Sequence, residues 1–277
     1  MALGRKLGSL AGIATAALLF AAGPASATIT VDGITFGEGA VFKTGAIWEN
    51  VVDTAGQTLT GMGIVTQIVG GDCGGVCWAD GDNGRELTFT FTYTLEKITA
   101  LDADTGEAWF SGGTLNFYVD PAENFTYGFG ANQAADLAAA TDGTQWLNLF
   151  GAQAGADCVA ADGCFSGAGT EITLVSNFEF AGDLGAVLAG DGAGFFDVVA
   201  GPGSANAYFN SNTQPSGQDM GMDTDFRADD TESNFPLTGS ASLRARTAVA
   251  VPEPGTLAVL GFGLLGLSWM RRRKVRV

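Results

Sequence analysis

The chain has 277 residues, of which 13 are basic and 30 acidic, for a formal net charge of −17, and it contains 42 glycines, 19 phenylalanines and no histidine. So acidic a surface repels nucleic acid and anionic membrane, which removes both from the expected ligands. The absence of histidine excludes Ser-His-Asp and Cys-His catalysis and the usual zinc and copper centres, leaving carboxylates, Lys, Tyr or a hard cation for any chemistry.

At the N-terminus, Arg5 and Lys6 precede an apolar run over residues 7–22, and Ala25-Ser26-Ala27 places small residues where a signal peptidase reads them. Residues 1–27 are therefore expected to be a cleaved secretory signal, with the exported chain starting at Thr28. Residues 28–251 show no linker and no fixed-period repeat, so they predict one domain. Seven of the basic residues (Arg5, Lys6, Arg271, Arg272, Arg273, Lys274, Arg276) lie in the two ends of the chain. The domain between them is thus more acidic than the whole, which favours solubility.

The clearest strand covers residues 86–95, where Leu87, Phe89, Phe91, Tyr93 and Leu95 alternate with Thr88, Thr90, Thr92 and Thr94. Similar alternation marks 113–119 and 171–180, and further strands are expected over 28–31, 59–69, 144–150, 195–199, 205–209 and 237–246. Gly, Asn and Asp between them supply the turns. One short helix is expected over 132–140, stopped by Asp142-Gly143. Many short strands rich in phenylalanine predict a mainly β domain, an antiparallel β-sandwich of jelly-roll type, with a closed barrel as the alternative. The phenylalanines are expected in its core.

Four cysteines occur as Cys73-x3-Cys77 and Cys158-x5-Cys164. In an oxidising compartment an even count reads as two disulfides, for which three connectivities exist. Gly74-Gly75 and Asp162-Gly163 let each short loop turn, favouring local pairs. Oxidation and unequal spacing argue against a four-thiolate metal site.

Two loops carry acids at alternate positions, Asp80-Gly81-Asp82 and Asp102-Ala103-Asp104. Carboxylates so spaced can converge on calcium, so Asp80, Asp82, Asp102 and Asp104 are candidate ligands. Neither loop completes an EF-hand, and the same residues also make plain hairpin turns. The acidic stretch 219–232 is expected to be a solvated loop. Trp48, Trp78, Trp109 and Trp146 are candidates either for stacking on sugar rings or for closing the core. Trp78, beside Cys77 and just before the Asp80 loop, is the best candidate for a ligand-binding surface residue. Among so many acids some pair will always be close, so composition singles out no catalytic carboxylate, and a non-enzymatic domain is expected.

The chain ends with Pro252-Glu253-Pro254-Gly255-Thr256, an uncharged run over 257–270, and Arg271-Arg272-Arg273-Lys274. The run is shorter than the roughly 20 residues that cross a bilayer comfortably. The four basic residues resist translocation, so they should stay cytoplasmic with everything before Pro252 outside. In this order and place the three parts resemble the PEP-CTERM sorting signal of Gram-negative bacteria, over about a tenth of the chain. The resemblance implies recognition of Pro252, Glu253 and Pro254 by an exosortase, a membrane-embedded cysteine enzyme. It makes 257–270 the transmembrane helix and Arg271, Arg272, Arg273 and Lys274 the stop, within a sorting segment 252–277. It also implies a membrane-anchored precursor, exported through the inner membrane and later released to the cell surface or the extracellular matrix. Because such tails are common in genomes that make exopolysaccharide, the implied role is exopolysaccharide-associated adhesion or flocculation. A calcium-assisted carbohydrate-binding module and a secreted glycan-active hydrolase are the alternatives.

Overall fold

Threonine alternating with aromatic residues after Glu86 forms the strand that its period predicts, and that strand is one stave of a closed barrel. The computed structural model describes residues 28–70, 73–125, 130–152, 171–214, 217–230 and 233–248. Residues Thr28–Ala250 form one compact unit. The strands are β1 (Ile29–Val31), β2 (Ile34–Phe36), β3 (Ala40–Glu49), β4 (Thr58–Gly70), β5 (Val76–Ala79), β6 (Glu86–Ala100), β7 (Thr105–Asp120), β8 (Thr144–Ala152), β9 (Ile172–Phe180), β10 (Val187–Val198), β11 (Met220–Ala228) and β12 (Leu237–Ala245). Among the described residues two α-helical pieces, α1 (Gln133–Ala139) and the single turn α2 (Asn206–Phe209), and a 3-10 turn at Asp82–Gly84 join them.

Neighbours along the chain are neighbours in the sheet. From β3 the antiparallel ladder runs through β4, β6 and β7, then β8 and β9, then β10, β11 and β12. β12 returns to β3, with Leu237 opposite Glu49 and Arg244 opposite Val41, and this pairing closes the barrel. β8 and β9 share one stave: β8 pairs Thr114–Val119 of β7, and β9 pairs Thr105–Ser111 of the same strand. The break between them falls opposite Gly112 and Gly113, whose φ values of 62° and 99° bend β7 there. Thr173 seals the break by donating its hydroxyl to the Gly112 carbonyl at 2.8 Å.

The jelly-roll expectation is therefore corrected to an eight-stave antiparallel barrel. Alternation separates an inner from an outer face in both architectures and does not choose between them. Closure depends on how the inner rings are accommodated, and here glycine makes the room. Gly61 lies opposite Phe91 and Gly63 opposite Phe89, Gly106 opposite Phe178, and Gly190 opposite Phe226. In each pair the ring covers its glycine, so a Cβ on Gly106 would sit 2.6 Å from Phe178 Cζ. At these four places the abundance of both residues is one device: the ring lies over a neighbouring stave that carries no side chain there.

One end of the barrel is plugged. The β1–β2 hairpin turns through Asp32 and Gly33, both at positive φ as a type I′ turn requires, and buries Ile34 and Phe36 completely. Phe36 packs on Phe209 and Trp146 with ring centroids 4.7 and 5.8 Å away, and Trp146 Nε1 donates to the Val31 carbonyl at 3.2 Å. The segment 205–209, expected as a strand, contributes to this plug as α2. At the other end the connections 50–57, 101–104 and 181–186, with residues 229–230 and 233–236, surround a mouth.

Outside the barrel, α1 covers a second apolar cluster of Trp48, Met62, Ile64, Phe125, Ala140 and Phe235. Asn132 caps the helix by accepting from the Ala135 amide at 3.0 Å. Asp136, fully buried, accepts from the Gly130 amide and from Asn234 Nδ2, each at 2.6 Å. Thr88, on the predicted solvent face of its strand, is buried beneath this layer and donates to the Ala140 carbonyl at 2.8 Å. The stretch 219–232, expected as a loop, holds β11 instead. Met222, Thr224 and Phe226 alternate with exposed Asp223 and Asp225, so the charges that suggested a loop are the outer face of a strand.

The barrel is apolar inside and rich in Thr, Asn and Asp outside, the reverse of a lipid-facing barrel. Among the described residues no helix is long and apolar enough to cross a membrane. The predicted signal peptide 1–27, the tail helix within 252–277, and Cys158 and Cys164 lie outside the described residues.

Candidate functional site

The barrel mouth owes its character to a bulge in β3. The pairing of β3 with β4 shifts at Lys43, Thr44 and Ala46, and Thr44 fills the irregularity by accepting from the Ala241 amide at 2.6 Å. Beyond the bulge Ile47 belongs to the barrel core and Trp48 to the outer cluster. Glu49, next on the inner phase, lines the interior opposite Gly61 and Leu237. Across the lumen, Gly190, Gly192 and Gly194 follow the inner phase of β10 between Val187, which lines the same space, and Phe196.

The result is a cavity of about 60 Å³ at the mouth, bounded by Glu49, Leu59, Phe110, Leu174, Phe178 and Phe226. A narrower space of about 30 Å³ is bounded by Glu49, Tyr93, Leu115, Phe196 and Met222. Glu49 and Thr224 line both. Since a water needs roughly 10–15 Å³ measured this way, the two spaces together admit a slender chain of atoms and no ring system.

Glu49 is half-buried as a residue, yet burial of its carboxyl among these apolar walls pushes its pKa up to about 7. No cation among the described residues pairs with it, and the ion pair of Arg244 with Asp223 lies on the outer face. Tyr93 is 2% exposed, and among the described residues its hydroxyl has no hydrogen-bond partner. Burial, and then the Glu49 carboxylate, raise its pKa as well.

The residues singled out from sequence lie elsewhere. Trp78, expected at the surface, is fully buried, because β5 pairs it with Ile68 on the inner phase of β4. Its Nε1 donates to the Asp82 carbonyl at 3.3 Å, so the ring offers no stacking face. Trp48 and Trp146 are also core, while half-buried Trp109 carries Lys97 Nζ 4.0 Å above its ring. Cys73 and Cys77 are bonded, with Cα atoms 5.2 Å apart.

The two acidic loops stand at opposite ends of β6, a strand of 15 residues and so roughly 50 Å long. Their aspartates brace turns. Asp82 accepts from the Ala79 amide at 2.8 Å. Asp102 accepts from the amides of Asp104 and Thr105 at 2.9 and 2.8 Å, which holds its carboxyl below the usual range. Among the described residues no three acidic or cysteine side chains are grouped to hold a metal, so the calcium expectation for Asp80, Asp82, Asp102 and Asp104 gains no support.

Asp80 instead joins an acidic neighbourhood at the plugged end. Glu86, buried at 4% exposure, accepts from the Phe125 amide at 3.2 Å. Burial first, and then Asp80, Asp120 and Asp142, push its pKa up to about 7. Burial and Glu123 raise that of Asp80, and burial and Asp120 raise that of Asp142.

Residues 250–274 match the family model of the PEP-CTERM protein-sorting motif, a span that includes Pro252, Glu253, Pro254 and the basic residues Arg271, Arg272, Arg273 and Lys274. The chain matches no curated protein and no solved structure. The motif marks a secreted protein that exosortase processes at the membrane and that is then extracellular or at the cell surface.

Proposed function

We propose that the barrel is the mature, non-enzymatic part of a cell-surface or extracellular-matrix protein of a Gram-negative bacterium, supporting exopolysaccharide-associated adhesion or flocculation. Signal peptidase would remove residues 1–27, and exosortase would remove the tail that first holds the chain in the membrane. The match over 250–274 carries this reading. The polar, acidic outer face of the barrel suits a solvated matrix, where like charge keeps copies apart until another polymer links them.

Two experiments test the reading. Replacing Pro252, Glu253 and Pro254 with alanine should leave an uncleaved, membrane-retained precursor, and normal maturation of that variant would overturn the exosortase assignment. Deleting the protein should reduce flocculation of the producing cells, while unchanged flocculation would remove the adhesion role and leave the sorting intact.

A further inference from the structure

We propose that the barrel mouth is a binding site for a slender aliphatic amine, an unbranched alkyl chain ending in a primary ammonium that sits between Glu49 and Tyr93. This inference concerns the barrel interior and does not depend on the sorting tail.

Three observations converge on that chemistry. The walls are mostly apolar, with Leu59, Phe110, Leu174 and Phe178 among them beside Asn50 and Ser176, so most of the ligand must be hydrocarbon. The one ionisable group shared by the two spaces is the Glu49 carboxyl, which lacks a cationic partner among the described residues. The Tyr93 hydroxyl, 2% exposed and without a hydrogen-bond partner there, borders the narrower space that Glu49 also lines.

An ammonium has three donors and no acceptor. It can give one to Glu49 and one to Tyr93 oxygen, with Thr224 bordering the same junction. A neutral alcohol would satisfy Tyr93 but would leave the carboxylate without a counter-charge. A fatty acid would set a second carboxylate against Glu49, and like charges in a low-dielectric site repel. The acidic exterior adds a long-range term of the same sign, because it concentrates cations near the mouth. The small volume restricts the hydrocarbon to an unbranched chain, enclosed by Leu59, Phe110, Leu174, Phe178 and Val187 beside Gly192.

The test uses the processed protein recovered after export and three probes of equal length: n-hexylamine, n-hexanol and hexanoate, titrated by calorimetry. Hexylamine should bind once per chain and at least tenfold more tightly than hexanol, and hexanoate should not bind. Glu49→Gln, nearly isosteric, should abolish the preference for the amine while leaving hexanol binding unchanged. Tyr93→Phe should weaken hexylamine more than hexanol, with the far-ultraviolet spectrum of each variant confirming its fold. Three results would each overturn the proposal: no binding of hexylamine, equal binding of amine and alcohol, or an amine preference that survives in Glu49→Gln. The last would place the amine on the acidic outer surface.

Discussion

Gly61 lies directly across the β4–β6 pair from Phe91, and the phenyl ring occupies the space that a side chain at position 61 would need. The same arrangement at Gly63 and Phe89 puts two successive rings of β6 onto bare backbone. Substituting Gly61 by alanine should therefore destabilise the barrel by about 1–3 kcal/mol, the usual cost of overpacking a core. Trimming the ring should relieve it: Gly61→Ala with Phe91→Leu should lose less than the two single losses added together. Urea unfolding of the four proteins measures this, and strict additivity would mean that the pair is not coupled.

Glu49 gives the barrel a pH dependence of defined sign. Its carboxyl is pushed from 4.5 up to about 7 in the folded chain. Between those values the folded state holds a proton that the unfolded state has lost, so this group lowers stability as pH rises and has no further effect above about 7. Glu49→Gln should accordingly stabilise the protein at pH 8, by about 1–3 kcal/mol, and change little at pH 4. Thermal melts across that range would show it. A variant less stable than the parent at pH 8 would mean that the carboxylate has a favourable partner.

Glu86 should act in the same direction, since burial pushes its pKa up to about 7 too. Its bond from the Phe125 amide distinguishes the two sites. Glu86→Gln keeps an acceptor for that amide and should flatten the pH profile, whereas Glu86→Ala should destabilise at every pH. Equal behaviour of the two variants would assign no role to the hydrogen bond.

Asp136 joins the 130 and 233–236 regions through two bonds of 2.6 Å while fully buried. Asp136→Ala strands the Gly130 amide and one N–H of Asn234, whose Nδ2 keeps its bond to the Gly130 carbonyl, and should cost about 2–4 kcal/mol. Hydrogen exchange should rise first at Thr88 and in α1, which the same layer holds in place. Unchanged exchange there would separate the bridge from the packing of the helix.

Much of this was legible in the residues. The alternation after Glu86 placed β6 and its inner face, and the short loop with Gly74-Gly75 favoured the Cys73–Cys77 bond that the structure shows. The choice of barrel over sandwich was not legible, because Phe89 alternates with Thr90 in either case and closure rests on which glycine meets which ring across the sheet. Asp223 and Asp225 suggested a loop because charge density hides a strand when every second residue is acidic. Trp78 looked superficial beside a cysteine and an acidic turn, but its phase on β5, set by pairing with Ile68, carries it inward.

The mouth itself was missed. Glu49 follows Ile47 at a spacing of two, which is the signal that could have found it, but the bulge at Thr44 and Gly45 interrupts the phase that would have connected it to Phe42. A single acid in an acidic chain carries no compositional signal, and the residues that bound the space beside it, Phe110, Leu174 and Phe226 among them, come from strands far away in sequence.

The central claim, an exported barrel freed from a temporary tail, is tested most directly by intact mass spectrometry of the protein recovered from outside the cells. The account predicts a chain that starts at Thr28 and has lost the run 257–270 together with Arg271, Arg272, Arg273 and Lys274. A recovered chain that still ends at Val277 would contradict it.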